Sequence, residues 1–345
     1  MSSKRRFLEL LASFVTTWLP HTKGLSKNTV RSYQQAFSLL FTYLHDEHGV
    51  KPMCVGFDTL TKDTLCGWLD WLEVRRGCKP QTRNQRLAAL SSFADYAADE
   101  DMESALVFCS AVAAIPAKRT HKGGSVVHFT LEEVRLLLAL PDTSGRIGSR
   151  DAVMLSVLYS SGARAQELCD LRVGDIHFGK QTVLKIIGKG NKARQVAIHR
   201  QCADLLRRYL KRIGLGDGGT DVLSRHLFSS QTHEHMTISC VEEVVAKYVT
   251  RAKKLYPDRF PHESYTPHSF RHSIAVHMLE AEIPLPVIKV FLGHASIETT
   301  MIYATVTPEL AAKYLKEKSP DIGIKLTAWK KPIADALPFL LKYAD

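Results

Sequence analysis

The segment Thr266-Pro-His-Ser-Phe-Arg-His272, followed further along by Leu292-Gly-His-Ala-Ser-Ile-Glu-Thr-Thr-Met-Ile-Tyr303, is the stretch around which the rest of the chain is read. Pro267 suits a first helical turn, where its missing N–H is no loss, and Thr266 is a capping residue in front of it. His268 and Arg271, three apart, then share one helical face near its positive end. Pro284 opens another short helix, which Gly293 closes at a left-handed position, so His294 sits on a turn. Ser296 caps the next helix, and Tyr303 lies along it near Thr299 and Thr300. Two imidazoles, a guanidinium and a phenol on three short helices make a candidate phosphate site with a tyrosine able to attack.

At 345 residues the chain suits two domains, and its 45% apolar content provides a core for each. A net charge of +11 and a pI near 9.3 point to a polyanionic partner. Residues 1–119 carry 15 Lys and Arg against 12 Asp and Glu, and residues 120–345 carry 31 against 23. The excess therefore lies mostly in the half that bears the motif. The seven cysteines (54, 66, 78, 109, 169, 202 and 240) are odd in number and contain no C-x-x-C pair. That pattern argues against zinc fingers and a disulfide framework, and a reducing cytosol is the expectation. No apolar run approaches the roughly 18 residues of a membrane span. Met1-Ser-Ser-Lys-Arg-Arg6 begins like a signal peptide, but Glu9, Thr16 and Thr17 interrupt the apolar stretch. The expectation is a cytoplasmic, nucleoid-associated protein with no membrane partner.

The amino-terminal part reads as all-α over residues 1–115. Apolar residues recur every three or four positions from Phe7 to Trp18, from Val30 to Leu44, from Leu65 to Leu72 and from Leu87 to Ala97, and an Ala-rich helix follows near 104–114. On the outer face of the fourth helix, Arg83 and Arg86 are expected to meet solvent or phosphate. Residues 116–128 read as an exposed basic linker, with Lys118, Arg119 and Lys122 as further candidates for DNA contact, most of it to phosphates. A second domain is expected over 129–318, opening with the capping box Thr130-Leu-Glu-Glu133. It continues with a buried helix near 152–159, β-rich runs at 182–187 and 194–198 joined by a hairpin loop, and helices near 199–213 and 238–256. A tail over 319–345 carries an apolar piece from Ile333 to Tyr343. The fold class is mainly α with a small β-sheet (α+β).

Breaking a phosphodiester without a metal requires neutralising two oxygens, supplying a nucleophile and protonating the leaving alkoxide. Arginine gives bidentate, permanently charged contacts to phosphate, tyrosine can form a covalent intermediate, and lysine or histidine can act as acid or base. Four motifs carry a resemblance: Ser160-Ser-Gly-Ala-Arg164-Ala-Gln-Glu167-Leu168, Gly188-Lys-Gly-Asn-Lys-Ala-Arg194, His268-x-x-Arg271-His272, and Leu292-Gly-His294 with Tyr303 beyond it. In this order and spacing the chain resembles the tyrosine recombinases, the lambda-integrase family that includes the Xer-type enzymes. The likeness implies a helical core-binding domain followed by a catalytic domain, with double-stranded DNA as substrate and neither metal nor ATP as cofactor.

Carried over residue by residue, the resemblance implies that Arg164 and Arg271 clamp the scissile phosphate and that Glu167 holds Arg164 in place. Tyr303 attacks phosphorus to leave a 3′-phosphotyrosyl bond and a free 5′-hydroxyl, and Lys189 protonates that leaving oxygen. His268 takes or returns the tyrosine proton, while His294 donates a hydrogen bond to the phosphate. A 5′-hydroxyl from a partner strand reverses the step, and two rounds through a Holliday junction exchange both strands. The family implies a homotetramer on two DNA sites, with Ile333–Tyr343 as a helix exchanged between neighbours. Accessory proteins, the target sequence and the biological task stay open. One departure is Thr305, where members of the family often carry histidine.

Taken singly, each residue has a plainer reading. Arg164 is an ordinary salt-bridge partner, Lys189 a solvated loop lysine, and Tyr303 a core residue with its hydroxyl at the rim. Glu167 and His272 read as capping or packing groups. Their joint occurrence in order favours the catalytic reading. A metal hydrolase is a rival because His268 and His272 are spaced i, i+4, but the glutamate base between them is missing. A non-catalytic DNA-binding protein and a type IB topoisomerase are two further rivals.

Overall fold

The computed structural model describes residues 3–120, 126–188, 190–216, 220–230 and 233–303. The chain divides into two compact units, Met1–Gly124 and Ser125–Asp345. The linker residue Lys122, the hairpin residue Lys189 and the whole tail, including Ile333–Tyr343, lie outside the described residues.

The first unit is helical. α1 (Ser3–Ser13) runs directly into a π-helical turn, Phe14–Thr22, which contains Pro20. α2 (Lys27–His48) is capped by Ser26, whose Oγ accepts from Thr29 N, and ends at Gly49, whose φ of 66° is left-handed. α3 (Lys62–Val74) is capped by Thr61 in the same way. α4 (Pro80–Ala113) joins what the sequence pattern separates into two helices. The break survives as a kink at Asp101, with φ −162° and ψ 76°. Asp101 Oδ1 accepts from Ser104 N, restarting the helix, while Oδ2 takes Nε of Arg6 at 2.9 Å and ties the kink to α1. The core is an aromatic cluster around Phe93, whose ring meets Phe7, Phe14, Phe37 and Phe108 at centroid distances of 5.6, 5.2, 5.3 and 5.7 Å.

Arg83 and Arg86 are not on an outer face. They are 5% and 8% exposed, because the inward stripe of Leu87, Leu90 and Phe93 extends back through them at helical spacing. Arg83 Nη1 donates to Pro116 O, and Arg86 donates to Ser32 O and Gln35 Oε1, both at 2.8 Å. The start of the linker is also tied down. Asn84 exchanges hydrogen bonds with both Lys118 N and Lys118 O, and Lys118 Nζ pairs with Glu73. Arg119 is exposed.

The second unit packs helices around a three-stranded sheet. α5 (Leu131–Ala139) opens with a capping box in which Thr130 Oγ1 accepts from Glu133 N and Glu133 Oε2 from Thr130 N. α6 (Arg146–Ser161) has an exposed first turn and is almost wholly buried from Asp151 onward, with α7 (Ala165–Asp170) just beyond it. β1 (Ile176–His177), β2 (Val183–Ile187) and β3 (Ala193–Ala197) form an antiparallel sheet in chain order. Leu184 pairs with Val196 and Ile186 with Arg194, so alternate residues face the core. There follow α8 (Arg200–Arg212), α9 (Thr220–Ser224), α10 (Ile238–Leu255), α11 (Pro267–Glu280), α12 (Leu285–Leu292) and α13 (Glu298–Met301). A small apolar cluster of Ile274, Ala275, Val276, Ile288 and Leu292 surrounds Tyr303. No helix among the described residues is long and apolar enough to cross a membrane.

Candidate active site

Three turns build the site. The first follows α6, where Gly162 takes φ 58° and reverses the chain. Arg164 then stands in extended conformation ahead of α7, and Glu167 in the first turn of α7 reaches back to it. Glu167 Oε2 accepts from Arg164 N at 2.9 Å, and Oε1 accepts from Arg164 Nη1 at 2.8 Å. Burial alone pushes the Glu167 carboxyl up, but N–H donors from Arg194 and Arg164 hold it below its ordinary value. Glu167 is therefore an anion that orients Arg164.

The second turn is the start of α11, where Pro267 sets the first helical position and Ser269 Oγ accepts from Thr266 N. His268 and Arg271 lie on it as the spacing predicts, but with different exposures. His268 is exposed, whereas Arg271 is only 2% exposed. Arg271 Nη1 donates to Gly162 O and Nη2 to Leu292 O, each at 2.6 Å. Burial, and then Arg164, lower its pKa to about 10, so it stays charged at neutral pH.

The third turn follows α12. Gly293 takes φ 65°, and His294 N donates to Lys289 O at 3.0 Å, closing the helix end. The His294 ring shares a hydrogen bond through Nδ1 with Thr300 Oγ1 at 2.9 Å. Burial, followed by Arg271 and Arg164, pushes His294 down to about 4, so it is neutral at pH 7. Ser296 Oγ accepts from Glu298 N at the start of α13. Tyr303 comes just after α13, 1% exposed, with its ring nearly parallel to that of His294. Burial raises the phenol pKa, and Arg271 and Arg164 oppose the rise.

The phenol's partner is His272, which reading from the sequence alone treated as packing. Its Nδ1 shares a hydrogen bond with the Tyr303 hydroxyl at 3.0 Å. Burial, then His268 and Arg271, push His272 down to about 4. His268, although its residue is exposed, has a ring partly desolvated by the groups packed around it, and that desolvation, followed by Arg271 and Arg164, lowers its pKa. Its ring centroid lies 6.2 Å from that of His272.

Arg164, Glu167, His268, Arg271, His294 and Tyr303 thus come together through the contacts of Glu167, Arg271 and His272, and the charges of the two arginines act on both histidines and the phenol. Lys189 lies outside the described residues, between Gly188 and the left-handed Gly190 and Asn191. Arg83, Arg86, Lys118 and Arg119 belong to the other unit. The sequence reading missed two residues, His272 and Arg194. His272 had one signal, its place beside Arg271 and one turn beyond His268. Arg194 had only its place at the end of the hairpin motif. Among the described residues no cluster of His, Cys, Asp or Glu is arranged to hold a metal ion. The arrangement is a cationic cradle lined by neutral imidazoles, suited to a single anionic group.

Residues 128–309 match the phage integrase family, and residues 15–101 match the phage integrase N-terminal SAM-like domain. The integrase/recombinase-type protein y4rC of Sinorhizobium fredii is 33% identical over 324 residues, covering 94% of this chain and 95% of that protein. Tyrosine recombinase XerD of Pseudomonas putida is 32% identical over 297 residues, covering 84% of this chain and 89% of its own. Among solved structures, the Tn1549 transposon integrase in complex with transposon right end DNA shares the fold at a TM-score of 0.67 and 15% identity, covering 93% of this chain and 100% of that one. XerH bound to palindromic difH substrate does so at 0.65 and 19%, covering 92% and 90%. The chain belongs to the phage integrase family, the tyrosine recombinases, enzymes that cleave and rejoin DNA strands.

Proposed function

We propose that this chain is a site-specific DNA recombinase whose nucleophile is Tyr303 and whose phosphate clamp is Arg164 with Arg271. The observation that carries the reading is Arg271. Its two 2.6 Å bonds to Gly162 O and Leu292 O draw the turns of Arg164 and His294 around one guanidinium. Its remaining N–H donors and those of Arg164 serve the scissile phosphate and stabilise the pentacoordinate transition state. His294 and the exposed His268 donate hydrogen bonds to the same phosphate.

The 3.0 Å contact supports His272, rather than His268, as the group that takes the phenolic proton. In its Nε2–H tautomer His272 accepts from the phenol at Nδ1. Both imidazoles, that of His272 half-buried and that of His294 buried, are neutral beside the arginines, and a phosphodiester bound there adds negative charge that raises their pKa values. Proton transfer from phenol to His272 then becomes easier when DNA is present. A hydroxyl as covered as that of Tyr303 also has to shift before it meets phosphorus, so the resting enzyme is held off its substrate.

Lys189 protonates the departing 5′-oxygen. A 5′-hydroxyl from a partner strand reverses the reaction, and two rounds in a homotetramer on paired sites exchange both strands. Neither metal nor ATP takes part. Phosphate contacts from Lys118, Arg119 and Lys122 position the duplex, and the tail docks on a neighbouring subunit.

The test is to trap the protein on fragmented genomic DNA with detergent and sequence the attached ends. Tyr303→Phe is expected to abolish the covalent complex while leaving DNA affinity within about twofold, since a single hydroxyl among many phosphate contacts is lost. Unchanged trapping by Tyr303→Phe defeats the proposal. Strand transfer between two duplexes, rather than relaxation alone, separates recombination from topoisomerase action.

A further inference from the structure

One guanidinium in the site is used by none of these steps. Arg194 stands on β3 opposite Ile186, directly after the loop that holds Lys189. Its Nη1 and Nη2 donate to the two oxygens of Glu167 at 3.1 and 2.8 Å. Its Nε donates to Phe291 O at 3.1 Å. A Cβ placed on Gly293 would sit 3.0 Å from Arg194 Cδ. One side chain therefore spans the hairpin, the turn of Arg164 and the turn of His294.

We infer that Arg194 is a positioning residue for strand cleavage: it fills the free side of Glu167 so that Arg164 is aligned without being consumed, and it fixes the turn that presents His294. This rests on the recombinase reading above. An ionised carboxylate offers about four lone-pair sites. Arg164 N, Arg164 Nη1 and the two Arg194 nitrogens fill them, so Arg164 gives Glu167 a single guanidinium N–H. Without Arg194, Arg164 can close on Glu167 as a fork and turn its donors away from the phosphate. A lysine keeps the charge at 194 but cannot reproduce the fork. Glu167 faces Arg164 from its own turn, Arg194 from β3, and Arg271 and His268 from α11. Of these, Arg194 contributes the largest opposition to the upward push of burial.

The experiment measures the single-turnover rate of covalent complex formation on a nicked duplex whose sequence the trapping returns, across pH, for the full chain. Arg194→Lys is expected to lose at least about tenfold in rate with DNA affinity within about twofold, because an interaction aligned on the transition state is removed rather than one that binds DNA. Its rate should also begin to fall at higher pH on the acid side, as Glu167 takes up a proton more readily. In Glu167→Gln, which keeps the shape, adding Arg194→Lys should produce no such shift and should cost little more in rate. A wild-type rate in Arg194→Lys while Tyr303→Phe is inactive overturns the inference and leaves the recombinase reading standing. So do losses that multiply in the double variant, or an acid limb that Arg194→Lys shifts as far in the Glu167→Gln background as in wild type. A covalent complex in Tyr303→Phe sinks both.

Discussion

In the helical unit, Arg83 and Arg86 are buried against neutral oxygens: a proline carbonyl, a serine carbonyl and the side-chain oxygen of Gln35. Their Nε atoms have no partner among the described residues. In the catalytic unit, Arg271 likewise gives two of its donors to carbonyls, but Arg164 and Arg194 converge on one carboxylate. The first arrangement holds buried cations that act independently, each anchored to its own neutral acceptors. The second couples its cations, so moving one moves the others. The surroundings differ to match: Phe93 and its ring partners form an apolar core in one unit, while in the other neutral imidazoles and a phenol stand beside the guanidinium groups.

The largest test of this contrast is on the apolar side. Phe93→Ala removes the ring at the centre of the aromatic cluster, and should cost about 3–5 kcal/mol in urea unfolding. A loss under about 1 kcal/mol, the scale of a surface substitution, would mean the cluster repacks and is less distinctive than its geometry. On the coupled side, Arg271→Lys should lower the cleavage rate by about 10²-fold or more, as for loss of a transition-state donor. Its melting temperature should fall as well, because one lysine cannot reach both Gly162 O and Leu292 O. A rate within about threefold of wild type, measured in single turnover, breaks the coupling argument. Gly293→Ala forces a side chain into a left-handed position against Arg194, and should cost about 1–2 kcal/mol. Cleavage should drop with it, since both His294 and Arg194 are displaced.

Acid gives the mildest test. His272 and His294 have folded pKa values near 4 against an unperturbed 6.5. The unfolded chain therefore binds protons first as pH falls. Their contribution to stability is complete above about 6.5 and is lost progressively between about 6.5 and 4. Melting temperature should decline across that window, and less steeply in His272→Asn. Equal slopes for the two proteins would remove His272 from the set of groups held neutral by the site.

Much of this was legible in the sequence because it is local. The capping box at Thr130, glycines at 162 and 293, and the period of apolar residues depend on neighbours a few positions away. The pairing of Arg164 with Glu167 is likewise a three-residue relation. What escaped was set by distant partners. Nothing near Arg86 announces Ser32 and Gln35, and an arginine on a helix reads as solvent-facing until the facing helix is known. Nothing near His272 announces Tyr303. The kink at Asp101 was also hidden, since a capping aspartate with new apolar spacing after it looks like a separate helix.

The staple made by Arg271 also has a bearing on how the protein is made. Its two acceptors lie 109 residues before it and 21 residues after it. A chain still leaving the ribosome, or one clipped ahead of Leu292, contains Arg164 and Glu167 but has no means of closing the clamp. On the mechanism proposed above, such a partial chain lacks the closed clamp, and the capacity to nick DNA arrives only once the final third of the polypeptide has folded.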